Sequence, residues 1–201
     1  MIKNAVFSAD RKYRYRLDRR WAEDNKILCF CMLNASDADE ERNDPTVRRC
    51  IGFAEAWGYS GIVIVNMDAL VSMNPKLLLT DPDPIGPEND TYIADAAMFS
   101  TKVIAGWGNY GACLPGRAAH VLEILDNLKE VYCFSQTKLG QPRHPLYVKK
   151  MPEYMLQVYR PALMKLGDSV SIFDDIRKSN AIEMGGFNGQ SQNRKNMDSS
   201  R

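Results

Sequence analysis

The chain has 201 residues, with 26 lysines and arginines against 25 aspartates and glutamates. That length suits one domain with its own core, and the even charge leaves no global field to attract nucleic acid or membrane, so any such attraction must be local. Five cysteines without a C-x-x-C pair and two histidines argue against structural metal and for a reduced, cytoplasmic protein; no apolar run approaches the ~18 residues of a membrane span, and no signal-peptide core opens the chain.

Residues 4–8 and 13–17 predict a β-hairpin around Asp10-Arg11-Lys12, with Tyr13, Tyr15 and Leu17 alternating against Arg14 and Arg16. The apolar run Lys26–Leu33 predicts a strand buried on both faces, ending at Asn34. Asp44-Pro45 supplies a helix start, and Val47, Cys50, Ile51 and Ala54 keep the spacing of one buried helical face up to a stop at Gly58. Gly61–Val65 is the next strand, completing a βαβ unit whose crossover should be right-handed.

Pro75–Leu79 is expected as a short helix, followed by a second from Pro87 to about Phe99. Lys102–Ala105 makes a third core strand, Pro115–Leu128 a helix and Glu130–Phe134 a fourth strand. Alternating strands and helices predict an α/β three-layer fold around a mainly parallel sheet of about four core strands, plus the amino-terminal hairpin. Residues 1–166 form the single domain, with its core over 26–147; 167–201 are a carboxyl-terminal extension, disordered from about 185. Tyr154–Leu166 is read as helical, kinked at Pro161.

Four polar loops follow the apolar runs: Asn34–Asp39, Asn66–Asp68, Gly106–Gly111 and Ser135–Tyr147. If the strands are parallel, all four line one crevice at their carboxyl ends, where ligands bind in open α/β sheets. Asn34, Asp37 and Asp39 could there orient an attacking water, with Ser36, Asp44 and Thr46 beside them as binding groups. Arg48 and Arg49, in the first helical turn, either pair with nearby acids or hold a phosphate.

Gly106-Trp-Gly-Asn-Tyr-Gly111 matches G-x-G-x-x-G in form, but it follows the third strand, with its helix delayed to Pro115, so no nicotinamide or flavin cofactor is expected. It is read instead as a glycine turn presenting Trp107 and Tyr110 to a flat base. The last loop carries Thr137, Lys138, Arg143, His144 and Tyr147; His144 is the candidate donor to developing negative charge, and His120 is read as structural.

Tyr13-Arg-Tyr15, Trp21, Met32-Leu-Asn34, Asp44-Pro-Thr46, Arg48-Arg-Cys50, Trp57-Gly-Tyr59, Asp83–Asp90, Trp107-Gly108 and Pro142–Tyr147 together resemble the bacterial and phage family catalogued as domain of unknown function 1643. More distantly, the order of parts is similar to the uracil-DNA glycosylase superfamily. There a first strand ends in a water-positioning Asn or Asp, a later one in Asn, and a His-Pro loop follows the last. The resemblance implies those places for Asn34, Asn66 and His144-Pro145-Leu146, and an extruded base as substrate. The chain departs from it in having Leu146 where the uracil branch has serine, which removes a phosphate contact and leaves both substrate and activity open.

The function expected is therefore nucleobase or nucleotide processing by N-glycosidic cleavage or related chemistry, with DNA or a nucleotide as partner. The alternatives are a non-catalytic nucleic-acid- or partner-binding module and an enzyme on a free phosphorylated metabolite. Oligomeric state is left open.

Overall fold

A computed structural model describes residues 1–161. It contains strands β1 (Ile2–Phe7), β2 (Arg14–Arg20), β3 (Ile27–Ala35), β4 (Gly61–Val71), β5 (Lys102–Ala105), β6 (Val131–Cys133) and β7 (Gln157–Val158). Three α-helices accompany them: α1 (Pro45–Ala56), α2 (Asn89–Phe99) and α3 (Pro115–Asp126). All seven strands join one sheet in the order β1-β2-β4-β3-β5-β6-β7.

The four inner strands are mutually parallel. The sheet is nevertheless larger than the four core strands expected. The hairpin β1–β2 extends it through antiparallel pairing of β2 with β4, and β7 pairs antiparallel with β6 at the far edge. β7 lies where a kinked helix was expected. Residues 153–155 make only one 3-10 turn, after which pairing with β6 places Tyr159 in the core, edge-on to Trp107 at 5.4 Å between ring centres. The expectations for residues 162–166 and for the 167–201 extension lie outside the described residues.

Burial on both faces explains the unbroken apolar character of β3. Leu28, Phe30 and Met32 pack with Ile62, Ile64 and the α1 residues Val47, Cys50, Ile51 and Phe53. Cys29, Cys31 and Leu33 pack on the other face with Val63, Val65 and residues of α2 and α3. The five cysteines are free thiols.

Strand β2 does not keep the expected alternation. A register shift opposite Val6 and Phe7 leaves Tyr15 as an extra residue, a β-bulge. Tyr13 and Tyr15 therefore join the α2/α3 side, while Leu17 joins the α1 side. Arg14, on the polar side of the predicted hairpin, and Arg19, beyond its predicted end, are almost wholly buried.

From β3 the chain passes through α1 to β4 on one side, then returns through α2 to β5 on the other. The connections leaving β3 and β5 therefore run to opposite faces of the sheet, a topological switch point of the kind at which open α/β sheets bind ligands.

Candidate functional site

Residues 36–44 connect β3 to α1 along one wall of the switch point, and their shape is held from beneath by two buried arginines of β2. Arg14 donates from Nη1 to the Ala38 carbonyl at 2.5 Å and approaches Ser36 Oγ at 3.5 Å. Arg19 donates from Nε to Asn43 Oδ1 at 2.7 Å and from Nη2 to the carbonyls of Asp39 and Arg42. Burial pushes the Arg14 guanidinium down to about 10, still charged at neutral pH.

Within this loop Asp39 Oδ1 accepts the backbone N–H groups of Glu41 and Arg42, which hold its carboxyl below the usual range. Asp37 is exposed and faces Arg42 at 3.7 Å. Both carboxylates thus engage Arg42, Asp39 through its backbone N–H and Asp37 through its side chain. Asp44 caps α1, accepting from Val47 N at 2.6 Å, and Thr46 sits half-buried in the following turn.

The two arginines of that turn look elsewhere. Arg48 donates to the Asn43 carbonyl, and Arg49 stacks over Phe53 at 4.7 Å while donating to the Val148 carbonyl. Arg49 thus ties α1 to the segment after β6. At this helix start a carboxylate occupies the cap, and both guanidinium groups bond carbonyls.

His144 is brought to the switch point by close packing of small residues. A Cβ on Gly108 would lie 3.5 Å from His144 Cβ, and one on Gly106 would lie 2.9 Å from Pro145 Cδ. The glycines of this loop thus accommodate the His-Pro segment; Gly108 also adopts φ 71°, a left-handed conformation that glycine tolerates. The Leu146 backbone N–H donates to His144 Nδ1 at 3.3 Å. A ring nitrogen that accepts carries no proton, so the neutral tautomer has its hydrogen on Nε2. Burial holds the imidazole neutral, down to about 4, against the opposing pull of Asp44. His144 is therefore a neutral Nε2–H donor throughout the physiological range.

Asn34 lies within β3 rather than beyond it, opposite Asp68 of β4. Its side-chain amide donates to the carbonyls of Ala35 at 3.0 Å and Ser72 at 2.7 Å. Both N–H groups are thereby committed, and the group that Asn34 can offer a ligand or water is Oδ1.

The third element of the site was read as a loop after β4. Instead β4 continues to Val71, so Asn66 and Asp68 are strand residues, each about 1% exposed. The ladder between β2 and β4 runs as far as Ile64; beyond it helix side chains bond the carbonyls of Asn66 and Met67, and the carbonyls of Ile85, Pro84 and Lys12 accept from the N–H groups of Ala69, Leu70 and Val71. Asn89 donates from Nδ2 to the carbonyls of Asn66 and Met67 at 3.1 and 2.8 Å, and Arg117 donates from Nε to Met67 at 2.7 Å.

Arg117 then spans two carboxylates, with Asp68 Oδ1 at 3.7 Å and Asp90 Oδ1 at 2.6 Å; Asp90 also meets His120 Nε2 at 2.9 Å. Desolvation outweighs Arg117 at Asp68 and raises its carboxyl to about 6. Both side-chain polar atoms of Asn66, Asp68 Oδ2 and Asn89 Oδ1 are buried without a protein hydrogen-bond partner.

The remaining expected residues divide. Trp107 faces inward, 2% exposed, with Nε1 donating to Gln141 at 3.0 Å, so it offers no face for stacking a base. Tyr110 packs partly buried against the same core, and Thr137 Oγ1 accepts from Leu139 N and Gln141 N at 3.3 Å, shaping its turn. Lys138 is exposed, Arg143 is half-buried, and Tyr147 is 44% exposed with its ring 5.7 Å from that of His144.

Asp68, Asn89, Arg117 and the supporting Arg14 and Arg19 were not among the expected site residues. Two polar residues interrupting an otherwise apolar strand were the available signal for Asp68. Arg117 and Asn89, on separate helices, show no sequence signal linking them to it. Among the described residues no group of acids, cysteines and histidines is arranged to hold a metal, and no helix is long and apolar enough to cross a membrane.

The pattern that defines the "protein of unknown function (DUF1643)" family matches residues 14–146. The chain belongs to this family. The DUF1643 match begins at Arg14 and ends at Leu146, and so takes in β2, the switch-point loops, the polar part of β4 and His144. No curated protein and no solved structure gives a match to the chain.

Proposed function

We propose that this DUF1643 protein is a nucleobase- or nucleotide-processing enzyme that cleaves an N-glycosidic bond by hydrolysis. The observation that carries the reading is His144, a neutral imidazole with its hydrogen on Nε2 at the topological switch point. Hydrolysis of a glycosidic bond expels the base with an extra electron pair, and a neutral donor stabilises that charge without having to lose a proton first. Asn34 Oδ1 accepts a hydrogen bond from water and aims its oxygen at the sugar carbon. Water oxygen bonds to that carbon, the carbon–nitrogen electrons leave with the base, and the water's proton ends on solvent or on the released base. Asn66, with donor and acceptor both unpartnered, supports the same reading, because a heterocycle edge presents the complementary pair.

The test is mass spectrometry of the purified protein incubated with single- and double-stranded DNA carrying uracil, mismatches or modified bases, and with nucleosides. Asn34→Ala serves as control. Release of a free base by wild type and its loss in Asn34→Ala supports a glycosylase. DNA bound with steep salt dependence and no base released supports a binding module instead. Competition by mononucleotides but not by DNA points to a free phosphorylated metabolite.

A further inference from the structure

The unpartnered atoms around β4 form an unbalanced set. Arg117 Nη2 and Asp90 Oδ1, which also lack a hydrogen bond, face each other at 2.6 Å as an ion pair; of the atoms left over, Asn66 Oδ1, Asp68 Oδ2 and Asn89 Oδ1 accept and Asn66 Nδ2 donates. Asn89, Arg117 and Asp68 are linked, because the Met67 carbonyl accepts from Asn89 at 2.8 Å and from Arg117 at 2.7 Å, and Arg117 in turn lies 3.7 Å from Asp68; Asn66, two residues before Asp68 on β4, joins them through its own carbonyl, which accepts from Asn89 at 3.1 Å. The orientation of Asn89 is settled by its partners: its nitrogen faces two carbonyls, so its oxygen faces away from them. Orphaned buried polar atoms destabilise a fold, so a protein that retains four of them is disposed to bind something with matching groups.

We infer that Asn66, Asp68 and Asn89 recognise a 2-amino-4-oxopyrimidine edge, the edge that guanine presents. This deepens the glycosidic reading above and rests on it for the reaction, though not for the binding. Guanine supplies three N–H hydrogens, from its ring N1–H and 2-amino group, together with one oxo acceptor, which is the complement of three acceptors and one donor. The oxo group meets Asn66 Nδ2, and the N–H groups meet Asp68 Oδ2, Asn89 Oδ1 and Asn66 Oδ1. Uracil offers one N–H and two oxo groups and would leave acceptors facing acceptors. Adenine and cytosine each lack a donor. Arg117, paired to Asp90 on its far side, keeps a positive charge behind Asp68 and favours the acceptor form of that carboxylate. Because the four atoms are sealed from solvent, the covering segments must part as the base goes in, and association should be slow.

The test is calorimetric titration of the full chain at pH 7.5 with guanosine, inosine, uridine, adenosine, cytidine and xanthosine. A single-stranded oligonucleotide containing one guanine distinguishes a base in nucleic acid from a free nucleoside. Guanosine should bind most tightly, and inosine, which lacks the 2-amino group, about 10- to 100-fold more weakly. Asp68→Asn presents an amide N–H where the carboxylate accepted. It should lose guanosine by about 10- to 100-fold and prefer xanthosine, whose 2-oxo group accepts.

Equal binding of guanosine and inosine, a preference for uridine, or no binding of guanosine in either form overturns the inference without any variant being needed. So does a folded Asp68→Asn protein that still prefers guanosine. Base release from a uracil substrate without guanosine discrimination would sink this inference and leave the glycosylase reading standing. Guanosine discrimination with no base released from any substrate would do the reverse.

Discussion

Replacing Asp68 by asparagine should stabilise the free protein while damaging its site. The Asp68 carboxyl is raised from 3.8 to about 6 because burial costs the charged form more than Arg117 returns. A rise of about two units corresponds to about 3 kcal/mol that the folded state forfeits once Asp68 is ionised. The sign follows from proton counting. Between pH 4 and 6 the folded chain holds a proton that the unfolded chain has released, so wild-type stability falls as pH rises through that window. Above pH 6 the cost is complete, and below pH 4 it is absent. Asparagine keeps the shape without the charge, and Arg117 retains Asp90 at 2.6 Å and the Met67 carbonyl at 2.7 Å. Asp68→Asn should therefore melt about 6–12 °C higher than wild type at pH 8, at about 2–4 °C per kcal/mol for a chain of this size. Thermal denaturation of both proteins from pH 3.5 to 8 reads the difference directly. A variant less stable than wild type at pH 8, or a difference independent of pH, would refute the view that Asp68 is held against its solvation preference.

His144 should titrate near 4 in proton NMR, with its ring signals constant from pH 5 to 8; a midpoint near 6.5 would remove it as a fixed neutral donor. Because the unfolded chain takes that proton first, stability should fall as pH drops from 6.5 to about 4, by about 3 kcal/mol in urea denaturation. Arg19→Lys keeps the charge but cannot reach Asn43, Asp39 and Arg42 together, so it should cost about 2–4 kcal/mol and loosen 39–43 in hydrogen exchange. Gly106→Ala, whose Cβ would meet Pro145 at 2.9 Å, should displace the His144 segment and lower base release. Gly116→Ala, with open space around it, should leave release unchanged. Equal effects from the two glycines would mean that Gly106 does not position His144. Asn34→Ala removes bonds to Ala35 and Ser72, so its lost turnover should come with about 1–2 kcal/mol of lost stability, read by urea denaturation.

Local pattern carried much of the architecture. The apolar run ending at Asn34, the Asp44-Pro45 helix start and the later strand–helix alternation each depend on neighbours within a few residues, and each predicted element has a counterpart in β3, α1, β5, α3 and β6. Parallel pairing followed from the alternation, and with it the placement of His144 beside Gly106 and Gly108. Reading failed where a residue's environment comes from distant chain. Asn66 and Asp68 look like a polar loop after a strand, but β3 continues alongside β4 past Asp68 to Val71, so the polar pair is buried within the sheet. Arg14 looks like the wet side of a hairpin until a bulge and the 36–44 loop enclose it together with Arg19. Trp107 looks like a platform for a base until Tyr159, 52 residues later in the numbering, covers it edge-on. The inner strands β3, β5 and β6 and the helices α1 and α3 are legible along the chain, because their periodicity is local. Only the tertiary structure decided which polar side chains are buried together, because Asp68, Asn89 and Arg117 meet through packing of separate elements that no spacing along the chain records.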